Sequence, residues 1–367
     1  MKVFTNASTK PLLSGLRCGA PSALKRFSMA SSTMSRTSSL LMPLPATPIQ
    51  LLALRSWASR TKPTLTVAPA AGPARFNEAA ALLPRKVEML LVESAQSVAN
   101  RLEAVCWDDV ADDWASPLKG LPVVKVKDKK GEPLTNSLLE AHRLNSAYIE
   151  NSDWFDSFKA EIEYNEKAKR PIDMRGTVYP AVLKYDPNSL LHGFFLESIA
   201  GVIRSARALS GFIEAEGAGV ASSGGVKNDR VDASGKAEGG GSKEGYGNVP
   251  FARDEFTAKK ITAYFNLDLA QIRGFGLDAE AERLLITLAL FKIRKFLGEG
   301  LRLRTACDLE LVDIAVKKPK DGFPLPTPED MDAELPGLIA AVTTRGLFAN
   351  PAVTTVTWRP KGKTSAA

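Results

Sequence analysis

The chain has 367 residues, 44% of them hydrophobic and 24% charged, which is close to globular averages and enough to bury a large core. Its formal net charge of +7 looks like a nucleic-acid signal until it is located: residues 1–77 hold ten Lys or Arg and no Asp or Glu, so residues 78–367 carry 38 basic against 41 acidic side chains. The body is close to neutral, and any basic groove has to be a local arrangement of side chains.

Three cysteines, Cys18, Cys106 and Cys307, form no CxxC pair. That argues against a zinc site and against a disulfide framework, and a reducing compartment such as the cytoplasm is expected. The longest apolar run, Leu284 to Phe291, is far short of the roughly 20 residues that span a bilayer, and no membrane partner is expected.

Residues 1–75 are rich in Ser, Ala, Pro, Leu and Arg without a sustained period, and disorder is expected there. The same composition suits an organellar transit peptide. An over-long start is a third reading, since Met29, Met34 and Met42 lie within the stretch. A core domain over 76–315 and a C-terminal helix and strand over 316–367 complete the expected organisation.

Arg85 to Val92 is apolar enough for a strand or a helix start and runs into a polar-rich helix, Glu93 to Glu103. At 3.6 residues per turn Val98, Leu102 and Val105 share one face, while Gln96, Asn100 and Glu103 flank it with Arg101 nearby. One side packs; the other is either solvated or a binding strip. Leu121 to Val126 reads as a strand followed by a Lys-rich turn. A second polar helix is expected over about 138–150, and an amphipathic one over Asp153 to Lys169.

Thr177 to Tyr185 is β-rich, Asp186-Pro-Asn-Ser189 is turn chemistry and Leu190 to Leu196 is apolar, which together predict a long hairpin with His192 in its second strand. Ala200 to Glu216 places Arg204 and Arg207 three apart, neighbours if the segment is helical. Residues 217–247 hold ten glycines with Lys227, Arg230, Lys236 and Lys243 among them and predict a Gly-rich loop, either an ordinary surface loop or one that contacts phosphates. Phe256 to Leu269 looks like strand and leads to a Gly-containing turn that presents Arg273.

Ala281 to Leu297 predicts a strongly apolar helix ended by Gly298 and Gly300, with Lys292, Arg294 and Lys295 in its last turns. Leu301 to Asp313 alternates as a strand. Thr327-Pro-Glu-Asp330 starts a helix that runs to about Leu347 and breaks near Pro336, and a short strand lies around Val353 to Trp358.

With only His142 and His192 in the chain, a histidine metal centre or a Ser-His-Asp triad has little material. Gly362-Lys-Thr-Ser365 lacks the upstream glycine of a P-loop, and no residue pattern calls for a cofactor. What remains is polar, amide- and Arg-bearing helices, a hairpin, a Gly-rich basic loop and an Arg-Gly-x-Gly turn. These suit a sugar-phosphate backbone, with Tyr179, Phe194 or Phe275 placed to stack or wedge against bases.

Several motifs then occur in one order: Ser94-x-Gln-Ser-x-x-Asn-Arg-Leu-Glu103, Glu140-x-His-Arg-x-x-Ser-Ala-Tyr148, His192-Gly-Phe leading to Arg204-x-x-Arg207, and Phe256 to Tyr264 running into Arg273-Gly-Phe-Gly276. Over about 85–314 the chain resembles the RAMP-superfamily backbone protein of type I-G (formerly type I-U) CRISPR effector complexes. The resemblance implies an α+β fold, a modified RRM or ferredoxin-like palm with an inserted hairpin and Gly-rich loop. It implies a non-catalytic subunit that lines up in several copies along a CRISPR guide RNA, with target DNA met through the guide and other effector-complex subunits as partners. It implies Asn100, Arg101, His142, Arg143, Arg204, Arg207 and Arg273 as guide contacts, and Lys227 and Arg230 as contacts from the loop. The acid-free first 75 residues and the Gly-rich insert depart from the family picture. Two other readings stay open: a RAMP protein with metal-dependent RNA cleavage through an aspartate such as Asp229 or Asp232, and an organelle-imported enzyme.

Overall fold

The computed structural model describes residues 2–7, 87–164, 171–199, 203–236, 244–304, 307–319 and 323–360, and of residues 2–7 only the backbone course. Most of the stretch expected to be disordered or transit-like lies outside the described residues. Its start does not: Lys2–Ala7 forms β1 and pairs on both sides. Met1–Ser8 and Ile49–Ala367 make one unit, and a second, Thr9–Pro48, lies outside the described residues.

The fold is mixed α+β. Its main sheet has five strands in the order β15 (Asp313–Val316), β1, β12 (Lys260–Leu267), β9 (Leu209–Glu216) and β2 (Met89–Glu93), every neighbouring pair antiparallel. Alternation decides which side is core. In β9 Leu209, Ile213 and Ala215 are buried, and in β12 Ile261, Ala263, Phe265 and Leu267, while Phe212 and Tyr264 stack on the opposite face at 4.8 Å. Residues 203–205 and 209–216 are therefore strands, so the helical spacing that would have made Arg204 and Arg207 neighbours does not apply. Their apolar residues recur at every second position, and the spacing of Arg204 and Arg207 alone did not carry that information.

Two helices follow the sequence closely. Helix α1 (Ala95–Ala104) starts where the Ser94 hydroxyl accepts from Ser97 N at 3.2 Å, and it buries Val98 and Leu102 against β9. Glu103, expected on the flanking polar face, is buried as well. The helix counted as α7 in chain order, Ala279–Glu299, starts at Asp278, whose carboxylate accepts from Glu280 N, and ends at Gly300. Its middle, residues 284–293, is buried at every position, which marks a stretch covered on all sides; Phe296 meets Phe265 of the sheet edge to face at 6.2 Å. Lys292, expected in the last turns as a complement to the helix dipole, is fully buried.

Between these helices the chain departs from expectation in instructive ways. The stretch 138–150 is a turn, a 3-10 turn at Arg143–Asn145 and one helical turn, α2 (Ala147–Glu150). Arg143 takes a φ of +52°, which no continuous helix allows, and Asn136 Oδ1 holds Leu138 N and Leu139 N before it. Helix α3 (Phe155–Glu161) is shorter than predicted, with residues 165–170 outside the described ones.

The expected hairpin over 177–196 is two helices, α4 (Tyr179–Tyr185) and α5 (Pro187–His192), followed by β7 (Phe194–Leu196). Asp186-Pro-Asn-Ser189 reads as a turn or as a helix cap with Pro at the first position, and here it caps. Asp186 accepts from Asn188 N at 3.1 Å and from Ser189 Oγ at 2.6 Å. Burial pushes the Asp186 carboxyl up to about 6, against the Ser189 hydrogen bond.

The Gly-rich segment is not one loop. β10 (Gly219–Lys227) and β11 (Val249–Thr257) form a nine-residue-a-side antiparallel ribbon that continues outward from β9 and β12, nearly all of it exposed. Its glycines serve close cross-strand approach: a Cβ on Gly224 would lie 2.8 Å from Phe251 O, and Gly225 accommodates the Phe251 ring.

Smaller pairs complete the fold: β3 (Trp107–Asp108) with β4 (Asp113–Trp114), β7 with β8 (Ile203–Ser205), and β13 (Arg302–Arg304) with β14 (Cys307–Asp308). A second sheet runs β16 (Val353–Thr357), β5 (Val123–Lys127) and β6 (Pro133–Asn136), with β16 parallel to β5. The short α6 (Leu269–Gly274) precedes α7. The last helix, α8 (Pro328–Thr344), opens with a capping box between Thr327 and Asp330, continues through Pro336 and packs on α7. No helix among the described residues is long and apolar enough to cross a membrane.

Candidate nucleic-acid interface

Four of the nine residues implied as guide contacts converge. His142, Arg143, Arg204 and Arg207 line one open cleft of about 550 Å³, together with His192, Gly193, Phe195 and the backbone of 205–206. Three local causes build it. Gly193 at φ +81° lets the chain at 205–207 pass so close that a Cβ would sit 2.8 Å from Ser205 O. The β7–β8 ladder sets Phe195 directly across from Arg204, whose guanidinium lies 5.5 Å from the ring centroid. The positive φ of Arg143 turns His142 outward while sending the Arg143 side chain inward.

The cations of this cleft differ in what they already hold. Arg143 is buried and forks onto Glu103, Nε to Oε1 at 2.7 Å and Nη2 to Oε2 at 2.8 Å, with Gly193 O accepting from Nη1 at 3.4 Å. Arg204 and Arg207 have no carboxylate partner among the described residues. Burial, and then the neighbouring Arg143 charge, push the half-buried Arg207 guanidinium down from its ordinary value, against the opposing pull of the Glu103 carboxylate. Positive charge without an ion-pair partner at the wall of a cleft attracts anions.

Beneath the cleft runs a buried chain of hydrogen bonds. Asn188 Nδ2 donates to Glu103 Oε1, Lys292 donates to Asn188 Oδ1, and Lys292 Nζ lies 3.1 Å from His192 Nε2. Burial first, with Arg143 adding to it, lowers the Lys292 ammonium from its ordinary value. Burial and the charges of Lys292, Arg143 and Arg207 hold His192 well below the usual imidazole range. The other ring nitrogen of His192, Nδ1, is buried and has no hydrogen-bond partner among the described residues.

The other implied contacts lie elsewhere. Asn100 is exposed on α1. Arg101 is engaged within the protein, Nη2 donating to Glu93 Oε1 at 3.1 Å and to Leu303 O at 2.7 Å. Arg273 pairs with Glu282 at 3.3 Å. Lys227 Nζ donates to Gly245 O at 2.8 Å near the ribbon tip, where Arg230 is exposed.

Asp229 and Asp232, the candidates for metal-dependent cleavage, brace that tip. Asp229 accepts from Val231 N, Asp232 N and Gly247 N, which hold its carboxyl below the usual range, and Asp232 accepts from Ser234 Oγ at 2.9 Å. Among the described residues no group of three or more His, Cys, Asp or Glu is placed to hold a metal ion.

The three aromatics expected to meet bases form a cluster of their own: Tyr179 lies 4.6 Å from Phe275 and 6.3 Å from Phe194, and both phenylalanines are buried. Phe195, which the sequence reading passed over, is the exposed one at 38%. Strand alternation across Phe194, Phe195 and Leu196 was the signal that would have found it.

No curated protein matches the chain. Among solved structures, a chain of "CRISPR RNA-guided surveillance complex, pre-nicking" is similar at 17% identity, with 62% of this chain and 64% of that chain covered and a TM-score of 0.27, too low to assign a fold. The alignment thus spans just under two thirds of that chain's length. The family described as "CRISPR-associated protein GSU0053" matches residues 61–220, a stretch that contains α1, Glu103 and every residue of the cleft, and this similarity supports a CRISPR-associated protein.

Proposed function

We propose that the chain is a non-catalytic backbone subunit of a CRISPR effector complex, of the RAMP superfamily and type I-G. It binds guide RNA along the sugar-phosphate backbone, lines up with further copies of itself and with other subunits, and leaves sequence discrimination to pairing between guide and target DNA. The observation that carries the reading is the cleft: Arg204 and Arg207 converge on it without carboxylate partners, beside exposed His142.

Two further features support it. The strands β15, β1, β12 and β9 stand in the spatial order 4-1-3-2 of a ferredoxin-like β-α-β-β-α-β unit, with α1 between the first and second of them and α7 between the third and fourth. The β10–β11 ribbon projects with Val220, Phe251 and Phe256 exposed, and an isolated two-stranded ribbon is at best marginally stable in water. A neighbouring copy is the partner that this reading assigns to it.

Measuring guide-RNA binding by the purified chain over a salt series tests the reading. Affinity falls steeply with salt, and Arg207→Ala lowers the logarithmic slope by about one. Binding that is absent, or indifferent to salt, with and without partner subunits, overturns it.

A further inference from the structure

We propose that Phe195 and Arg204 form a stacking platform for one unpaired base of a single strand, with Arg207 and His142 taking the adjoining phosphate. The proposal rests on the nucleic-acid reading of the cleft and adds what that reading lacks, a contact to a base rather than to the backbone.

Three observations lead to it. Phe195 is the outward residue of β7, flanked by buried Phe194 and Leu196, so its ring is exposed by strand geometry and not by loose packing. Its cross-strand partner Arg204 lays a guanidinium over that ring at 5.5 Å with no carboxylate of the described residues to draw it away. A planar cation on an aromatic face is itself a flat, polarisable surface, and bases stack on both kinds of plane. The third is the placement of phosphate-binding groups: the Arg207 guanidinium and the His142 imidazole line the same cleft, so a base on the platform has a cation and a ring N–H donor within the same pocket for its phosphate.

The cleft's dimensions favour a single nucleotide over a duplex. About 550 Å³ lies in the range of small-ligand sites, roughly 300–1,000 Å³, whereas a paired base presents only its edge to a protein. Stacking reads no sequence, since every base has a π face, and this agrees with a subunit that holds any guide.

The test uses the full chain, a labelled single-stranded RNA of mixed sequence, and a strand of the same length with abasic sugars. Phe195→Ala weakens binding of the mixed-sequence strand on the order of tenfold and leaves the salt slope unchanged, because no phosphate contact is lost. Phe195→Tyr keeps the affinity, which shows that an aromatic plane is what the position supplies, and unchanged abasic-strand binding by Phe195→Ala shows that the alanine variant is folded. The wild-type protein binds the abasic strand more weakly by the same factor, and Phe195→Ala adds no further loss on that strand. Phe195→Ala binding both strands like wild type, while Arg207→Ala still lowers the slope, overturns the platform and leaves the phosphate reading standing. A wild-type chain that binds neither strand at any salt overturns both.

Discussion

Arg101 and Arg143 lie in the region around the end of α1, Arg204 and Arg207 in the β7–β8 cleft, and the two regions use the same side chain for different ends. The first pair is spent on buried carboxylates, Glu93 at 3.1 Å and Glu103 at 2.7 Å. The second forms no ion pair among the described residues, Glu103 reaching Arg207 only through its field, and lines an open cleft. An arginine beside a buried acid is part of the fold's internal charge balance. One at a cleft wall without an acid is available to a ligand anion. The difference is set by the nearest carboxylate and not by the motif that carries the arginine.

The sharpest way to break this comparison is at Glu103. Glu103→Gln leaves the buried Arg143 cation without its counter-charge, which costs about 3–5 kcal/mol. Urea unfolding reads the loss, and an unchanged midpoint would place Arg143 with the cleft arginines instead. Arg101→Ala comes next: it removes hydrogen bonds to buried Glu93 and to Leu303 O and is expected to cost about 1–3 kcal/mol while leaving RNA affinity as it was. A variant of normal stability with weakened RNA binding would move Arg101 to the other side of the comparison, onto the polar strip of α1 beside Asn100.

The smallest expected effect is a pH dependence. His192 is held well below 6.5 in the folded protein, so the unfolded chain takes up the proton first and stability is lost as pH falls through about 6.5. Asp186 works in the opposite sense: its folded value of about 6 lies above 3.8, so the folded state binds that proton first and stability is regained as pH falls from about 6 toward 3.8. Unfolding measured from pH 7.5 to 6 should show the decline, and His192→Gln should flatten it; a parallel decline in the variant would assign the loss to other groups.

Local and periodic features were legible in the chain. The apolar run of α7, the Thr327 cap of α8, Val98 and Leu102 on α1 and the strand at 353–357 each depend on side chains within one or two turns of each other. Where a local signal had two meanings, neighbours far along the chain chose between them. Asp186-Pro-Asn-Ser189 became a helix cap, and the glycines of 219–227 became part of a strand whose partner lies at 249–257.

The sequence by itself determined which residues were cationic, which segments had an apolar face and which motif order to compare with a known family, because all three are properties of the covalent chain. Tertiary structure alone decided which cations were left for a ligand. Glu103 meets Arg143 across 40 residues and reaches Lys292 only through Asn188, and Phe195 meets Arg204 through a ladder between two three-residue strands. Electrostatic neutralisation and stacking act over a few ångströms of space, and only the fold sets those distances.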